Sequence, residues 1–214
     1  NSAMDSRVTD GKMDKPDAVL CSFNGTVMAR AMEAIAKRQK VAIVGGTKAL
    51  VDLAYAANKL KAGEPCTHTE LASFHDWKEL MDYTEEPGGG QLKALANLIN
   101  QHGAKIIIDA CKEIVPENEE EARKQRKPFV QPDLVVSTAH KSKGREWLNV
   151  EVADDFKEPK DDVNHRGDEI PGEIDKHSAM LHYVTVTRAR QHLNRGGLSW
   201  VDRHAKKSDK EVLA

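Results

Sequence analysis

The sequence predicts an α/β fold in which a parallel sheet is flanked by helices. Short apolar runs typical of buried strands alternate with segments of helical periodicity near both ends of the chain. Such alternation favours a parallel sheet, because parallel strands need a crossover about as long as a helix. The 214 residues, of which 39% are hydrophobic and 31% charged, suffice for one such sheet with a substantial core.

The first part of the predicted sheet lies in residues 15–61. The run DAVLCSF, residues 17–23, predicts a buried strand, and the spacing of apolar residues predicts a helix over 27–37. The run KVAIVGG, residues 40–46, predicts a second strand that two glycines end. Thr47 follows and is expected to cap the next helix.

Residues 62–128 predict a small, mostly helical insertion without a clear strand. Gly103 is expected to end one of its helices. The following stretch, KIIIDACKEIV, begins with three consecutive isoleucines that also suit a strand, although we favour a helix. Two acidic–basic pairs at i,i+4 spacing, Glu119 with Arg123 and Glu120 with Lys124, indicate a solvated helix near the end of the block.

The α/β pattern returns in residues 129–214. DLVVST, residues 133–138, and NVEVA, residues 149–153, predict two further strands. The polar stretch 154–176 predicts a long surface loop. A short helix is expected after it, ending near TRAR, residues 187–190.

Composition excludes several classes of protein. A formal net charge of −2 gives no global signal for nucleic acid, so binding to it would depend on local basic patches. Three widely spaced cysteines favour a reducing cytoplasm over a disulfide framework. The sequence shows no apolar run that predicts a signal peptide or membrane span. The opening NSAM looks like an expression-vector remnant, and residues 1–14 are expected to lie outside the fold.

One basic stretch, STAHKSKGREW at residues 137–147, follows a predicted strand directly. In open α/β sheets ligands bind beyond the carboxyl ends of the strands. Side chains there that could contact phosphate oxygens are His140, Lys141, Lys143 and Arg145. Gly144 permits a close backbone approach or a positive φ angle, and Glu146 could accept hydrogen bonds from a sugar hydroxyl. Composition alone favours a hydrophilic turn.

A second stretch, YVTVTRARQHL at residues 183–193, carries Arg188 and Arg190 after an apolar segment. Arginine is planar and permanently ionised, which suits it to charge that develops on a phosphoryl group. Taken alone, the stretch is better explained as a helix end that carries favourable positive charge. No metal site is predicted, because Cys66, His68 and His75 match no standard ligand spacing.

Taken together and in this order, these stretches resemble motifs of the UvrD/Rep/PcrA family of superfamily 1 DNA helicases. TAHKSKGREW is similar to the fifth motif, which usually reads T-x-H-x-A-K-G-L-E-W or -F. YVTVTRA is similar to the sixth, Y-V-A-x-T-R-A, while AVLCSFN resembles the fourth and IVGG the segment after it. The matches span about 17–60 and 133–193, roughly half of the chain.

The resemblance implies the second RecA-like motor domain of an ATP-dependent helicase or translocase, formed discontinuously by 15–61 and 129–214. It implies movement along single-stranded DNA in the 3′ to 5′ direction, and a cytoplasmic role in DNA repair. ATP and Mg2+ would be held mainly by the N-terminal RecA-like domain of the same full-length protein. The chain alone is then expected to be inactive.

The family's site residues carry over onto matching positions of this sequence. Arg188 matches the catalytic arginine finger on the γ-phosphate. Glu146 matches the ribose contact, and Gly144 belongs to the same nucleotide-binding group. Positions that match contacts to the DNA backbone are Thr138, His140 and Lys143.

The sequence also departs from the family pattern. Ser22 stands where the fourth motif carries a second arginine, and His177 and Ser178 replace a glutamate often found before the sixth. The insertion is far smaller than the one that contacts duplex DNA in most members. No G-x-x-x-x-G-K-[ST] loop occurs, which is expected of a C-terminal fragment. Alternatives are a degenerate, non-catalytic nucleic-acid-binding or interaction module, or the motor part of a helicase–nuclease.

Overall fold

The computed structural model describes residues 6–11, 13–86 and 89–205, and within them a six-stranded parallel sheet is flanked by helices. The strand order is β1-β8-β5-β2-β4-β3, and a separate antiparallel pair joins β6 to β7. The strands are β1 (Arg7–Thr9), β2 (Ala18–Cys21), β3 (Val41–Ile43), β4 (Leu134–Thr138), β5 (Trp147–Val152), β6 (Asp162–Val163), β7 (Glu169–Ile170) and β8 (Ala189–Asn194). The predicted α/β class is confirmed, and the sheet has the form of a RecA-like domain.

Helices connect the strands and cover the sheet. They are α1 (Asn24–Ala36), α2 (Lys48–Lys61), α3 (Trp77–Thr84), α4 (Gly90–Glu113), α5 (Glu119–Gln125), α6 (Lys176–Val186) and α7 (Val201–Ala205), with a 3-10 turn at Gly196–Leu198. Within the described part of the chain, no helix is both long and apolar enough to cross a bilayer.

Apolar side chains cover both faces of the sheet, as its strands require. In β2, Val19 and Cys21 join the core beneath α1, α2 and α4, whereas Ala18 and Leu20 point into a second core that includes Phe156. Successive side chains of a strand point to opposite faces, so a strand buried on both sides has no polar alternation. This explains why β2 and β3 are continuous apolar runs in the sequence and why β4 begins with one.

Two strands of the sheet were not predicted. β8 was expected as the end of a helix, because Arg190 and Gln191 give it a polar start, and only its last three residues are buried. β1 lies in the leader that was expected outside the fold, and it is exposed at every residue. Its pairing with β8 corrects that expectation for Arg7–Thr9.

The helical block packs directly against α1 and α2. α4 lies along α1 so closely that a Cβ atom on Gly25 would come within 2.7 Å of the backbone nitrogen of Leu95. Gly103 interrupts α4 with a φ of 77°, so the expected helix end is confirmed, as is the helix after it. The boundaries of the block as a separate domain stay a prediction.

Local predictions had mixed outcomes. Lys124 pairs with Glu120 at 2.6 Å as expected, whereas the Arg123 side chain donates to the backbone carbonyl of Glu119. Thr47 precedes α2, but its side chain makes no capping hydrogen bond, so its predicted role as a cap is wrong.

Candidate functional site

The loop that joins β4 to β5, residues 139–146, runs alongside α6. At the start of α6 the ring of His140 lies 5.9 Å from that of His177, centroid to centroid, with the planes 29° apart. Beyond the other end of α6, Arg188 donates from Nη1 to the carbonyl oxygen of Arg145 at 3.1 Å. The β4–β5 loop therefore runs from the carboxyl end of β4 to the amino end of β5. Because the strands are parallel, these ends lie at opposite edges of the sheet.

Backbone bonds give the β4–β5 loop a fixed shape. The N–H of Ser142 donates to the carbonyl of Thr138 at 3.0 Å, and its buried hydroxyl donates to Ala139 O at 2.7 Å. The N–H of Arg145 donates in turn to Ser142 O at 3.0 Å. Gly144 has a φ of 80° with open space around its missing Cβ, so the backbone conformation alone favours glycine there.

Arg145 is held by a residue that the sequence did not single out. Its Nε and Nη2 donate to the two carboxylate oxygens of Glu117 at 2.6 and 3.0 Å, a bidentate geometry. Its Nη1 also donates to Lys141 O at 3.3 Å. The hydrogen bond to Glu117 raises the pKa of Arg145 above its usual value. Arg145 was predicted to be available to phosphate; among the described residues, these bonds engage three of its five N–H donors.

Arg188 is partly buried and makes three hydrogen bonds. Besides the bond to the Arg145 carbonyl, Nε donates to Val184 O and Nη2 to the hydroxyl of Thr187, both at 2.9 Å. The bond from the Arg188 side chain to the Arg145 carbonyl thus connects the two sequence stretches that carry the resemblance. Among the described residues these bonds use three of its five N–H donors, which leaves two for a ligand.

Glu146 lies at the amino edge of the sheet, next to the start of β5. Its carboxylate is more than half exposed, and one oxygen is 3.9 Å from Nε of Arg190. Both residues line a cavity of about 390 Å³ together with Trp147 and Glu117. The cavity is open to solvent.

A second cavity, of about 300 Å³, lies at the carboxyl edge of the sheet. It is lined by Ser22, Thr138, His140 and Lys141, among others. The imidazole of His140 is exposed, whereas Thr138 is buried and its hydroxyl oxygen accepts from Lys141 N at 3.4 Å. Lys143 is exposed farther along the loop. The predicted DNA-facing residues therefore lie at the end of β4 and in the loop that follows it, and they differ in exposure.

Asp155 places a carboxylate against the backbone of Ser22. Its carboxylate oxygens accept from the backbone N–H groups of Ser22 and Phe23, where β2 passes into α1. The sequence offered one signal for it, an acidic pair directly after the apolar run of β5. Glu117 offered no such signal, because its partner is 28 residues away.

The structure thus separates the predicted site into two groups. Thr138 and His140 lie at the carboxyl edge of the sheet, while Glu146 and Arg188 lie at the opposite end of the β4–β5 loop. No group of three or more His, Cys, Asp or Glu side chains that could hold a metal ion occurs in the part of the chain that the structure describes.

No protein-family model matches the chain. Among curated proteins, the chain is similar to the F-box DNA helicase protein 1 of Schizosaccharomyces pombe, with 23% identity over 163 residues. The alignment covers 73% of this chain but only 18% of that protein, so the chain spans less than a fifth of its relative. The chain is therefore distantly similar to a DNA helicase.

Proposed function

We propose that this chain is the second RecA-like motor domain of an ATP-dependent DNA helicase or translocase. The observation that carries the proposal is the bond from Arg188 to the carbonyl of Arg145. It joins the two stretches that resemble the fifth and sixth helicase motifs through two residues that are 43 positions apart in sequence. The distant similarity to a DNA helicase supports the same assignment.

In this role Arg188 is the catalytic arginine finger. ATP and Mg2+ are bound mainly by the N-terminal motor domain, and Arg188 reaches the γ-phosphate across the cleft between the two domains. A planar, permanently charged guanidinium stabilises charge that develops on the transferred phosphoryl group. Glu146 accepts hydrogen bonds from the ribose, and Gly144 allows the turn that places it. The exposed carboxylate of Glu146 is compatible with this contact.

Single-stranded DNA is the second ligand in the proposal. His140 and Lys143 are exposed on the β4–β5 loop and contact phosphates without reading bases. Thr138 is buried and contributes by shaping the turn, because its hydroxyl oxygen accepts a hydrogen bond from Lys141 N–H. Movement in the 3′ to 5′ direction and a role in DNA repair are part of the same proposal.

The proposal is tested by the full-length protein that contains this chain. Arg188→Ala should lower the kcat of DNA-stimulated ATP hydrolysis by about a thousandfold or more while nucleotide binding is largely retained. Arg123→Ala is the matched control, because this arginine is exposed on α5. Unchanged turnover in Arg188→Ala would remove Arg188 from the proposed role.

The chain alone should not hydrolyse ATP, because the Walker A loop is absent from its sequence. Steady-state phosphate release by the purified chain measures this directly. Turnover that is lost in Arg188→Ala would show that the chain is catalytically complete, contrary to the proposal.

A second candidate function is a non-catalytic nucleic-acid-binding module derived from such a motor. Ser22 cannot supply the charge of the second arginine, and the carboxylate of Asp155 lies on its backbone instead. A negative charge there repels phosphate. Ser22→Arg in the full-length protein discriminates between the motor domain and the binding module. A large gain in the rate of DNA-stimulated ATP hydrolysis supports a weakened motor. A reading frame without a Walker A loop upstream would favour the binding module.

A further inference from the structure

We infer that Glu117 is a positioning residue for Arg188, acting through Arg145. The inference rests on the proposed function for its catalytic consequence, but its structural part can be tested on this chain alone. Glu117 lies outside both helicase-like stretches, within the helical block of residues 62–128. The inference therefore gives this block a part in positioning Arg188.

The geometry forms a continuous series of hydrogen bonds. Glu117 binds the Arg145 guanidinium through both carboxylate oxygens, at 2.6 and 3.0 Å. The backbone of Arg145, held in place by its own side chain, presents its carbonyl oxygen to Nη1 of Arg188 at 3.1 Å. A bidentate pair restricts both distance and orientation, which a single bond does not.

Glu117 is itself fixed from two directions. Its N–H donates to Oε2 of Glu121 at 2.8 Å, in the first turn of α5, and Asn118 caps that helix by accepting from Glu121 N at 2.9 Å. Two residues earlier, the N–H of Val115 donates to Val41 O, which attaches the segment to β3. Glu117 lies in the short connection between α4 and α5, and these bonds attach that connection to both α5 and β3.

Burial and charge favour a persistent pair. The Glu117 side chain is only 13% exposed, so solvent competes weakly for its carboxylate. Arg145 replaces the leucine of the usual fifth-motif pattern, so the ion pair is a feature of this chain. A catalytic group must be held by neighbours whose own positions are fixed, and Glu117 meets that requirement for the carbonyl that Arg188 binds.

The first experiment uses the purified chain and the side-chain NMR signals of Arg188. In Glu117→Gln and in Arg145→Ala, the Nη hydrogens of Arg188 should exchange with solvent roughly threefold faster or more, because their acceptor is less fixed. Every variant keeps the carbonyl of residue 145, so only its placement changes. Glu119→Gln, an equal charge change at an exposed position two residues away, should leave the rates unchanged.

The second experiment measures DNA-stimulated ATP hydrolysis by the full-length protein. Glu117→Gln and Arg145→Ala should each lower kcat about tenfold with KM for ATP unchanged, and the double variant should be no worse than either. Glu117→Asp should recover part of the loss, because it keeps the charge. In an Arg188→Ala background, Glu117→Gln should have no further effect.

The two hypotheses fail in different ways. If Arg188→Ala abolishes turnover but Glu117→Gln changes neither kcat nor the Arg188 exchange rate, the inference is overturned and the proposed function stands. If Arg188→Ala leaves turnover intact, the proposed function fails. The NMR experiment then decides the inference by itself: faster exchange in Glu117→Gln supports the positioning contact, and unchanged exchange overturns it.

Discussion

Asp155 Oδ1 accepts a hydrogen bond from the backbone N–H of Ser22 at 2.8 Å, and its Oδ2 accepts one from Phe23 at 2.9 Å. The contact joins the ends of two neighbouring strands, β5 and β2, at the point where α1 begins. One carboxylate thus satisfies two donors, and its charge complements the positive end of the helix dipole.

Asp155→Ala should lower the free energy of unfolding of the chain by about 2 kcal/mol, because it leaves two N–H groups without their charged acceptor. Urea denaturation measures the change. Asp154→Ala, at the exposed neighbouring position, should stay within about 0.5 kcal/mol of the parent. Equal midpoints for the two variants would show that the Asp155 contacts contribute nothing.

Lys143→Ala should weaken binding of single-stranded DNA uniformly across sequences. Each lost phosphate contact to a single strand reduces the slope of log K against log salt by about 0.7. Fluorescence anisotropy of a labelled oligothymidine at several salt concentrations gives the slope. Lys105→Ala is the control, since Lys105 is 89% exposed on α4 and is paired with Asp109. A slope that does not change would place Lys143 outside the DNA interface.

Gly25→Ala should destabilise the chain although alanine is the better helix former by about 1 kcal/mol. The added Cβ would lie 2.7 Å from Leu95 N and 3.1 Å from Ala94 Cβ, so α1 and α4 must separate, at a cost of about 1–3 kcal/mol. Thermal unfolding compares it with Gly11→Ala, where a Cβ meets open space. A more stable Gly25→Ala would mean that the helices have room to adjust.

Stability should fall at alkaline pH because of buried thiols. Burial raises the pKa of Cys111 to about 11, and desolvation raises that of Cys21 as well. An unfolded cysteine titrates near 8.5, so the folded state holds the proton longer. The stabilisation is complete below about pH 8.5 and is lost as pH rises through 11.

The decline should amount to about 1–3 kcal/mol for Cys111, measured by urea unfolding at pH 8 and pH 10.5. Cys111→Ala should flatten this decline, whereas Cys66→Ala, at a half-buried position, should leave it unchanged. A decline that is equally steep without Cys111 would assign the alkaline loss to other groups.

The strands of the sheet centre could be predicted from sequence because their burial on both faces leaves continuous apolar runs. β8 could not, since its exposed start carries Arg190 and Gln191, and the charged residues resemble a helix end. The candidate residues Arg188 and Glu146 came from the resemblance, as spacing alone did not distinguish them from a basic turn. The partners that hold the site, Glu117 and Asp155, depend on the approach of distant segments, which no local pattern encodes.

The contact between β1 and β8 has a consequence for shortened versions of the chain. Arg7–Thr9 pairs with His192–Asn194, and Thr9 Oγ1 and Arg7 Nη2 also bond the His192 ring at 2.9 and 3.1 Å. Removal of the first eleven residues would take β1 away from β8. The edge of β8 would then present backbone N–H and carbonyl groups without partners. Such an edge is a template for another molecule's strand, so the trimmed protein should self-associate in a concentration-dependent manner.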